Sequence, residues 1–372
     1  MEEWKIYKLG DLYKVHNGLS KSGNFFGSGF PFLSFKIVFN NFFLPQTLSD
    51  LVQTSEKERS NYDIKRGDVF ITRTSETAEE LGMSCVALKD YPNATYNGFT
   101  KRLRPINDIV VPEYIGYYLR SPKFRGLFYG LASSMSTRAS LANSDLLDMP
   151  VSIPSHLTQI KIASILKSLD DKIEMNRQKK DNLEKQTLAI FDHIFPEITR
   201  GDNKIGDIIV PKRGRGLLSK NALEGNIPVV AGGINPATYH NTANTEAPVV
   251  TIAASGANAG YVNLWHIPVW CSDSSYIDSS MSPNVYFWYV MLKKRQKEIF
   301  DAQVGSAQPH IYPKHIAEMP LGNFSKADVE KFTETVKPMF ELIGIHKEEN
   351  IRLANMRDVL LPLLMSGKLE VK

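Results

Sequence analysis

Apolar residues recur at alternating steps of four and three along two stretches of this chain. Ile162, Leu166, Leu169, Ile173, Asn176, Lys180, Leu183, Thr187 and Ile190 form one series. Phe332, Val336, Met339, Ile343, His346, Asn350, Leu353, Arg357 and Leu360 form the other, each 170 positions further on. Spacing of this kind over about four heptads predicts a coiled-coil seam rather than a helix laid on a globular core. Each helix should run about 38 residues, roughly 55 Å at 1.5 Å per residue. Pro196 should end the first, and Pro362 should stop or kink the second near its end. Polar residues fall at the same three places in both seams. They either fix register from inside the pair or lie on its rim.

The same offset relates more than the helices. Met149-Pro150 falls on Met319-Pro320, and Pro112 lies 171 positions before Pro283. Upstream, Lys8-Leu-Gly-Asp-Leu12 echoes Lys204-Ile-Gly-Asp-Ile208, and Phe30-Pro-Phe-Leu33 echoes Ile227-Pro-Val-Val230. A two-fold repeat this long is neither a solenoid nor a propeller, whose units run about 20–50 residues. It reads as two copies of one domain-plus-helix unit: 1–153 and 154–197, then 198–322 and 323–372. The second helix has a stripe to bury, and the matching stripe is on the first. An antiparallel pair follows, with a globular domain expected at each end of a rod.

Within each repeat, short β-branched and aromatic runs such as Asp68–Arg73, Ser84–Leu88 and Pro248–Ala253 lie between turn residues and predict strands. An aromatic helix opened by proline follows, from Pro112 and from Pro283. Its rings read as core. The fold class is therefore mixed α/β, as two domains separated by two long antiparallel coiled-coil helices.

Composition narrows the class. At 372 residues the chain is long for one domain. Cys85 and Cys271 make no disulfide framework or metal cluster and read as buried small residues. The N-terminal segment lacks an apolar signal region, and no run of 18 apolar residues exists, so a cytoplasmic protein with no membrane contact is expected. Residues 1–150 carry 18 basic and 16 acidic side chains, and residues 198–322 carry 11 and 9. The helical segments balance, so the net +4 sits in the two globular repeats. That distribution suits a polyanion partner but also suits an ordinary, slightly basic protein.

Three loops per repeat carry the candidate chemistry. The first is Lys14–Ser22, with Lys21, and its counterpart Pro211–Lys220, with Lys212, Arg213 and Arg215 between glycines. Guanidinium forks bind phosphate or guanine, and glycine backbone can approach a phosphate closely. The second is Arg73–Thr77, with Arg73 and Thr74, and its counterpart Ala254–Asn258, with Ser255 and Asn258. The third holds Ser136, Thr137 and Arg138, against Ser306 and Gln308. Arg138 can read guanine and Gln308 adenine by bidentate hydrogen bonds. A solvated or purely structural loop is the alternative in each case. GANAG (residues 256–260) lacks the full dinucleotide-binding pattern. There is no P-loop, HExxH or CxxC. His310 and His315 are off the i,i+4 spacing of a helical zinc pair, so no metal site and no catalytic residues are expected.

The K-[LI]-G-D-[LI] openings, the proline-opened helices, the GSAQ-type loop closed by Met-Pro and the two long helices together resemble the specificity subunit of type I restriction–modification systems. The ending Leu-Pro-Leu-Leu-Met-Ser-Gly-Lys-Leu is especially similar. The resemblance covers essentially the whole chain. The first repeat departs from it, with Ser136-Thr137-Arg138 where the second has Gly305-Ser306-Ala307-Gln308. It implies two target-recognition domains that each read half of a split double-stranded DNA sequence. It implies helices that set the spacing and dock two methyltransferase subunits. S-adenosylmethionine, ATP and magnesium would belong to those partners and to a motor nuclease subunit, leaving this chain non-catalytic and without a cofactor. A self-contained DNA-modifying enzyme and a protein-only coiled-coil scaffold are the competing readings.

Overall fold

The computed structural model describes residues 4–75, 77, 80–133, 139–305 and 307–371. The chain divides into two compact units, one of residues 1–173 and 352–372, the other of residues 174–351. Each unit takes in part of both long helices, His156–Ile194 and Lys326–Met365.

In the first unit the strands are β1 (Lys5–Lys8), β2 (Tyr13–Asn17), β3 (Phe26–Leu33), β4 (Leu51–Val52), β5 (Val69–Thr72), β6 (Thr74–Ser75), β7 (Ser84–Val86), β8 (Thr95–Tyr96), β9 (Thr100–Pro105), β10 (Ala139–Ser140) and β11 (Pro150–Ile153). An antiparallel sheet has the order β2-β9-β5-β7, beside a smaller sheet β4-β3-β8 and the ribbon β1-β11. In the second unit they are β12 (Asn203–Lys204), β13 (Lys212–Arg213), β14 (Ile227–Val230), β15 (Thr238–His240), β16 (Val249–Ala253), β17 (Val262–Trp265), β18 (Trp270–Cys271), β19 (Ser274–Asp278) and β20 (Pro320–Leu321). Their sheets run β13-β19-β16-β17, β15-β14-β18 and β12-β20. The two units thus share one topology, down to the parallel pairing of β3 with β8 and of β14 with β18.

All eighteen seam positions are buried or half-buried. Within the first unit Asp170 meets Arg357 at 2.7 Å. Within the second, Asn176 donates to Glu349 (2.7 Å) and Asn350 (2.9 Å), and Phe191 packs on Phe332. Partners that rise in number on one helix as they fall on the other define an antiparallel pair. Asn176 and His346 are buried, so these polar seam residues sit between the helices and not on a rim. The second helix departs from expectation at Pro362, which neither stops nor kinks it before Met365. Pro338 also lies inside it. Each proline frees a carbonyl four residues earlier, on exposed Glu334 and Asp358, where water can satisfy it.

The aromatic helices are each broken in two: Pro112–Tyr118 with Pro122–Ser133, and Val285–Lys294 with Gln296–Asp301. Pro122 disfavours helical geometry at Ser121 just before it, which explains the first break. Tyr114, Tyr117, Phe124 and Phe128 in one unit and Phe287 in the other are buried in the cores, so these rings are packing, as the spacing predicted. Leu361, Leu364 and Met365 of the second long helix join the core of the first unit. Phe191 of the first long helix and Phe195 just beyond its end join that of the second. Both cysteines are buried, and burial pushes their thiols up to about 12.

Cations donate to the outer strand at one edge of each main sheet. Arg120 donates to the Ser84 carbonyl on β7, while Lys293 and Lys347 donate to Val262 and Leu264 on β17. On β7 the backbone of Phe42 and Leu44 also bonds Val86, which closes that edge to strand addition. Burial lowers the pKa of both lysines. Beside them His266 is lowered to about 4, by burial and then by Lys347. The sign follows directly. Below its ordinary 6.5 the unfolded chain binds a proton that the folded one refuses until about pH 4. Stability from this group is complete above pH 6.5 and is lost as pH falls towards 4, by about 3 kcal/mol. Urea melts of the second unit at pH 7.0 and 5.0 should show about 2 kcal/mol of that loss. His266→Gln should flatten the profile between pH 6.5 and 5, where few carboxylates titrate.

Candidate nucleic-acid interface

In the second unit the loops singled out from the sequence meet at one end of the main sheet. There β13 lies beside β19 with Arg213 opposite Ser275. Beyond the end of β16, the Ala254 N–H donates to the Asp273 carbonyl at 3.1 Å, and Ile311 N–H to the Ala254 carbonyl at 2.9 Å. Ser255 and His310 form a further bridge, as do Val304 and His310. The loops at 213–217, 254–260 and 304–310 are therefore neighbours.

Their side chains form a polar cluster. Arg213 donates to Asp273 Oδ1 at 2.5 Å, with both side chains about 40% exposed (41% and 39%), and Ser255 donates to the other oxygen of the same carboxylate. Asp273 is thus the hub, and sequence reading missed it. No motif marks a lone aspartate 60 residues from its arginine. Lys212 and Arg215 are exposed and their side chains make no ion pair among the described residues. The backbone of Arg215 is fixed by Trp270 Nε1 on its carbonyl and by its own N–H on Cys271. Gln308 is exposed and Asn258 half-buried.

Two expectations change here. Gly214 does not offer its backbone to a phosphate. A Cβ there would lie 2.4 Å from the Ser272 carbonyl oxygen, so the missing side chain lets β13 pack against its own unit. Arg213 is not a free cation, because Asp273 neutralises part of its fork.

In the first unit the same strand end is built differently. Arg73 N–H donates to the Phe99 carbonyl at 3.0 Å, and Leu141 N–H to the Arg73 carbonyl at 2.9 Å. Thr74 pairs with Ser140 across β6 and β10. The Arg73 guanidinium is half-buried, and its Nε is out of reach of water with no acceptor among the described residues. Lys101, buried on β9, donates to Asn143, and burial followed by repulsion from Arg73 lowers its pKa. Lys21 is a correction. Its ammonium meets Glu58 at 2.8 Å and lies over the Phe25 ring, its side chain only 15% exposed, so it is committed inside the unit. That contact, then the Ser55 backbone N–H, holds Glu58 at about 2. Ser136, Thr137, Arg138 and Ser306 lie outside the described residues.

Backbone pairing puts the units in one register. Thr72 opposite Thr100 corresponds to Ala253 opposite Ser274. Gly82 donates to Thr72 as Gly260 does to Ala253, both at positive φ (72° and 87°). Arg73 then corresponds to Ala254, Thr74 to Ser255, and Phe99 to Asp273. One scaffold carries two different sets of side chains at the same place. Unpaired guanidinium and amide groups there can bind phosphates and read base edges. Among the described residues no group of His, Cys, Asp and Glu is placed to hold a metal ion. None of the described helices is long and apolar enough to cross a membrane.

Comparison with known proteins agrees. The family model described as the type I restriction modification DNA specificity domain matches residues 1–185. The MjaIX type I restriction enzyme specificity subunit of Methanocaldococcus jannaschii is 25% identical over 421 residues, covering all of this chain and 94% of that one. The HindI specificity subunit of Haemophilus influenzae is 29% identical over 199 residues, 52% of this chain and 41% of that one. The crystal structure of a type I restriction–modification S subunit from M. genitalium aligns over 98% of this chain and 96% of its own, with a TM-score of 0.61 at 18% identity, a likeness of fold. A duplicated mixed α/β unit on paired long helices, with divergent polar loops at equivalent strand ends, defines a DNA-specificity protein. The chain belongs to the specificity subunits of type I restriction–modification systems.

Proposed function

We propose that the two units, built on the globular segments 1–153 and 198–322, each read one half of a bipartite DNA site. The long helices at 154–197 and 323–372 serve as spacers and as the docking surface for two methyltransferase subunits. The chain supplies the address and no chemistry. S-adenosylmethionine is held by the methyltransferase partners, and ATP and magnesium by a motor nuclease subunit. The observation that carries this reading is the shared register. Framework positions coincide between the units, while the loop residues differ in charge, size and hydrogen-bonding pattern, as two unlike half-sites require.

The test uses the chain assembled with its methyltransferase partner and DNA of the selected sequence. Arg73→Ala is expected to cost about 1–3 kcal/mol, confined to one base position in one half-site. Lys212→Ala and Arg215→Ala should weaken binding to all sequences alike, each lowering the salt-dependence slope by about one. DNA binding without sequence preference, or methylation by the rigorously isolated chain, would overturn the proposal.

A further inference from the structure

We infer that Phe99 reads a thymine in the half-site of the first unit, by contact of its ring with the C5 methyl group. The inference rests on the reading of that unit as a DNA-recognition domain.

Phe99 is 58% exposed, yet it is not on a loose segment. Its N–H donates to Asn97 Oδ1 at 2.6 Å, and its carbonyl accepts from Arg73 at 3.0 Å. Gly98 before it is packed so tightly that an added Cβ would lie 2.3 Å from Ser20 Oγ. A turn pinned on both sides therefore holds a large ring out in water. Phe70, Tyr96, Phe124 and Phe128 of this unit are buried, and Phe25, Phe26 and Tyr129, though exposed, are less so than Phe99.

Its neighbour completes the surface. Arg73 follows β5 and is hydrogen-bonded to Phe99 through the backbone, and its guanidinium Nε is buried without an acceptor among the described residues. The Nε itself is closed off from water, so an acceptor that arrives from outside meets this half-buried fork at its terminal nitrogens. An apolar ring beside an unsatisfied cationic fork matches a DNA groove, where acceptors and phosphates surround few apolar groups. In the major groove of intact duplex the apolar group on a base edge is the thymine methyl.

The second unit supplies the contrast. Its equivalent position is Asp273, tied to Arg213 and Ser255. The position before β9 and β19 thus carries an exposed ring in one unit and an ion-paired carboxylate in the other, so its chemistry has diverged from aromatic to carboxylate. The flanking framework has not diverged: Gly18 N–H donates to Thr100 as Gly214 N–H donates to Ser274.

The chain is assembled with its methyltransferase subunits, and its target is selected from a random duplex library. Each thymine of the target is then replaced in turn by deoxyuridine, which lacks only the methyl group. One position, in a single half-site, is expected to bind about fourfold more weakly when demethylated. Phe99→Ala should abolish that sensitivity, and Phe99→Leu should keep part of it. Phe99→Asp should shift base preference at that position alone. A flat deoxyuridine scan, or a sensitivity that survives Phe99→Ala, overturns the inference while leaving sequence-specific binding intact. A complex that selects no sequence at all overturns the DNA-reading role itself.

Discussion

Residues 1–197, produced without the rest of the chain, are expected to form a two-fold symmetric homodimer that directs methylation to an interrupted palindrome. The full chain buries the seam of its first long helix against the second, and both present apolar and polar residues at the same seam positions. Deleting the second helix removes Leu361, Leu364 and Met365 from the core of the first unit. The offset of 170 places Phe191, Ile194 and Phe195 of a second copy at those points. All three are apolar, so the vacancy can be filled by the same helix running the opposite way, in an isologous contact. The substitution is imperfect. Arg357, which meets Asp170 at 2.7 Å, is replaced by Thr187, and phenylalanine is larger than leucine. The dimer should therefore be weaker than the intramolecular pairing, and Thr187→Arg should tighten it. Sedimentation measures the association, and methylation mapping with the partner subunit reads the site. A well-folded monomer, or a dimer that prefers an asymmetric site, would show that the two seams are not interchangeable.

Phe191→Ala should destabilise the second unit by about 3–5 kcal/mol. Phe191 is fully buried, with ring centres 5.1 Å from Phe195, 5.7 Å from Phe287 and 5.3 Å from Phe332. It lies on the first long helix, Phe287 on the aromatic helix and Phe332 on the second long helix. Truncation leaves a cavity bounded by three elements that cannot all move inward together. The aromatic pairs add about 0.5–1.5 kcal/mol each beyond their area. Phe332→Ala should cost a similar amount, and the double variant less than the sum, because the two rings share one cavity. Urea unfolding followed by tryptophan fluorescence measures this, since Trp265, Trp270 and Trp288 are in the same unit. A loss below about 1 kcal/mol would mean that the cluster collapses to fill the space.

The sequence by itself determined the two long helices, their seam and their antiparallel sense. It also showed the repeat, the mixed α/β class and the family. These signals are local or periodic: a heptad stripe shows its buried face in the spacing of Ile162, Leu166 and Ile173. Candidate loops were legible for the same reason, as clusters of Arg, Ser and Gly after strand-like runs.

Only the tertiary structure decided what those loops hold. Arg213 meets Asp273 60 residues away and Lys21 meets Glu58 37 residues away, and both contacts depend on strand register that no local pattern encodes. Register also decided that Phe99 and Asp273 are equivalent, although the helical offset of 170 does not relate them. The turns between strands differ in length, and backbone pairing restores the match that counting residues loses. The division into units was likewise nonlocal. Each long helix looks like one continuous element along the chain, yet its two parts are buried in different cores, because burial follows the side chains that surround a helix and not the helix itself.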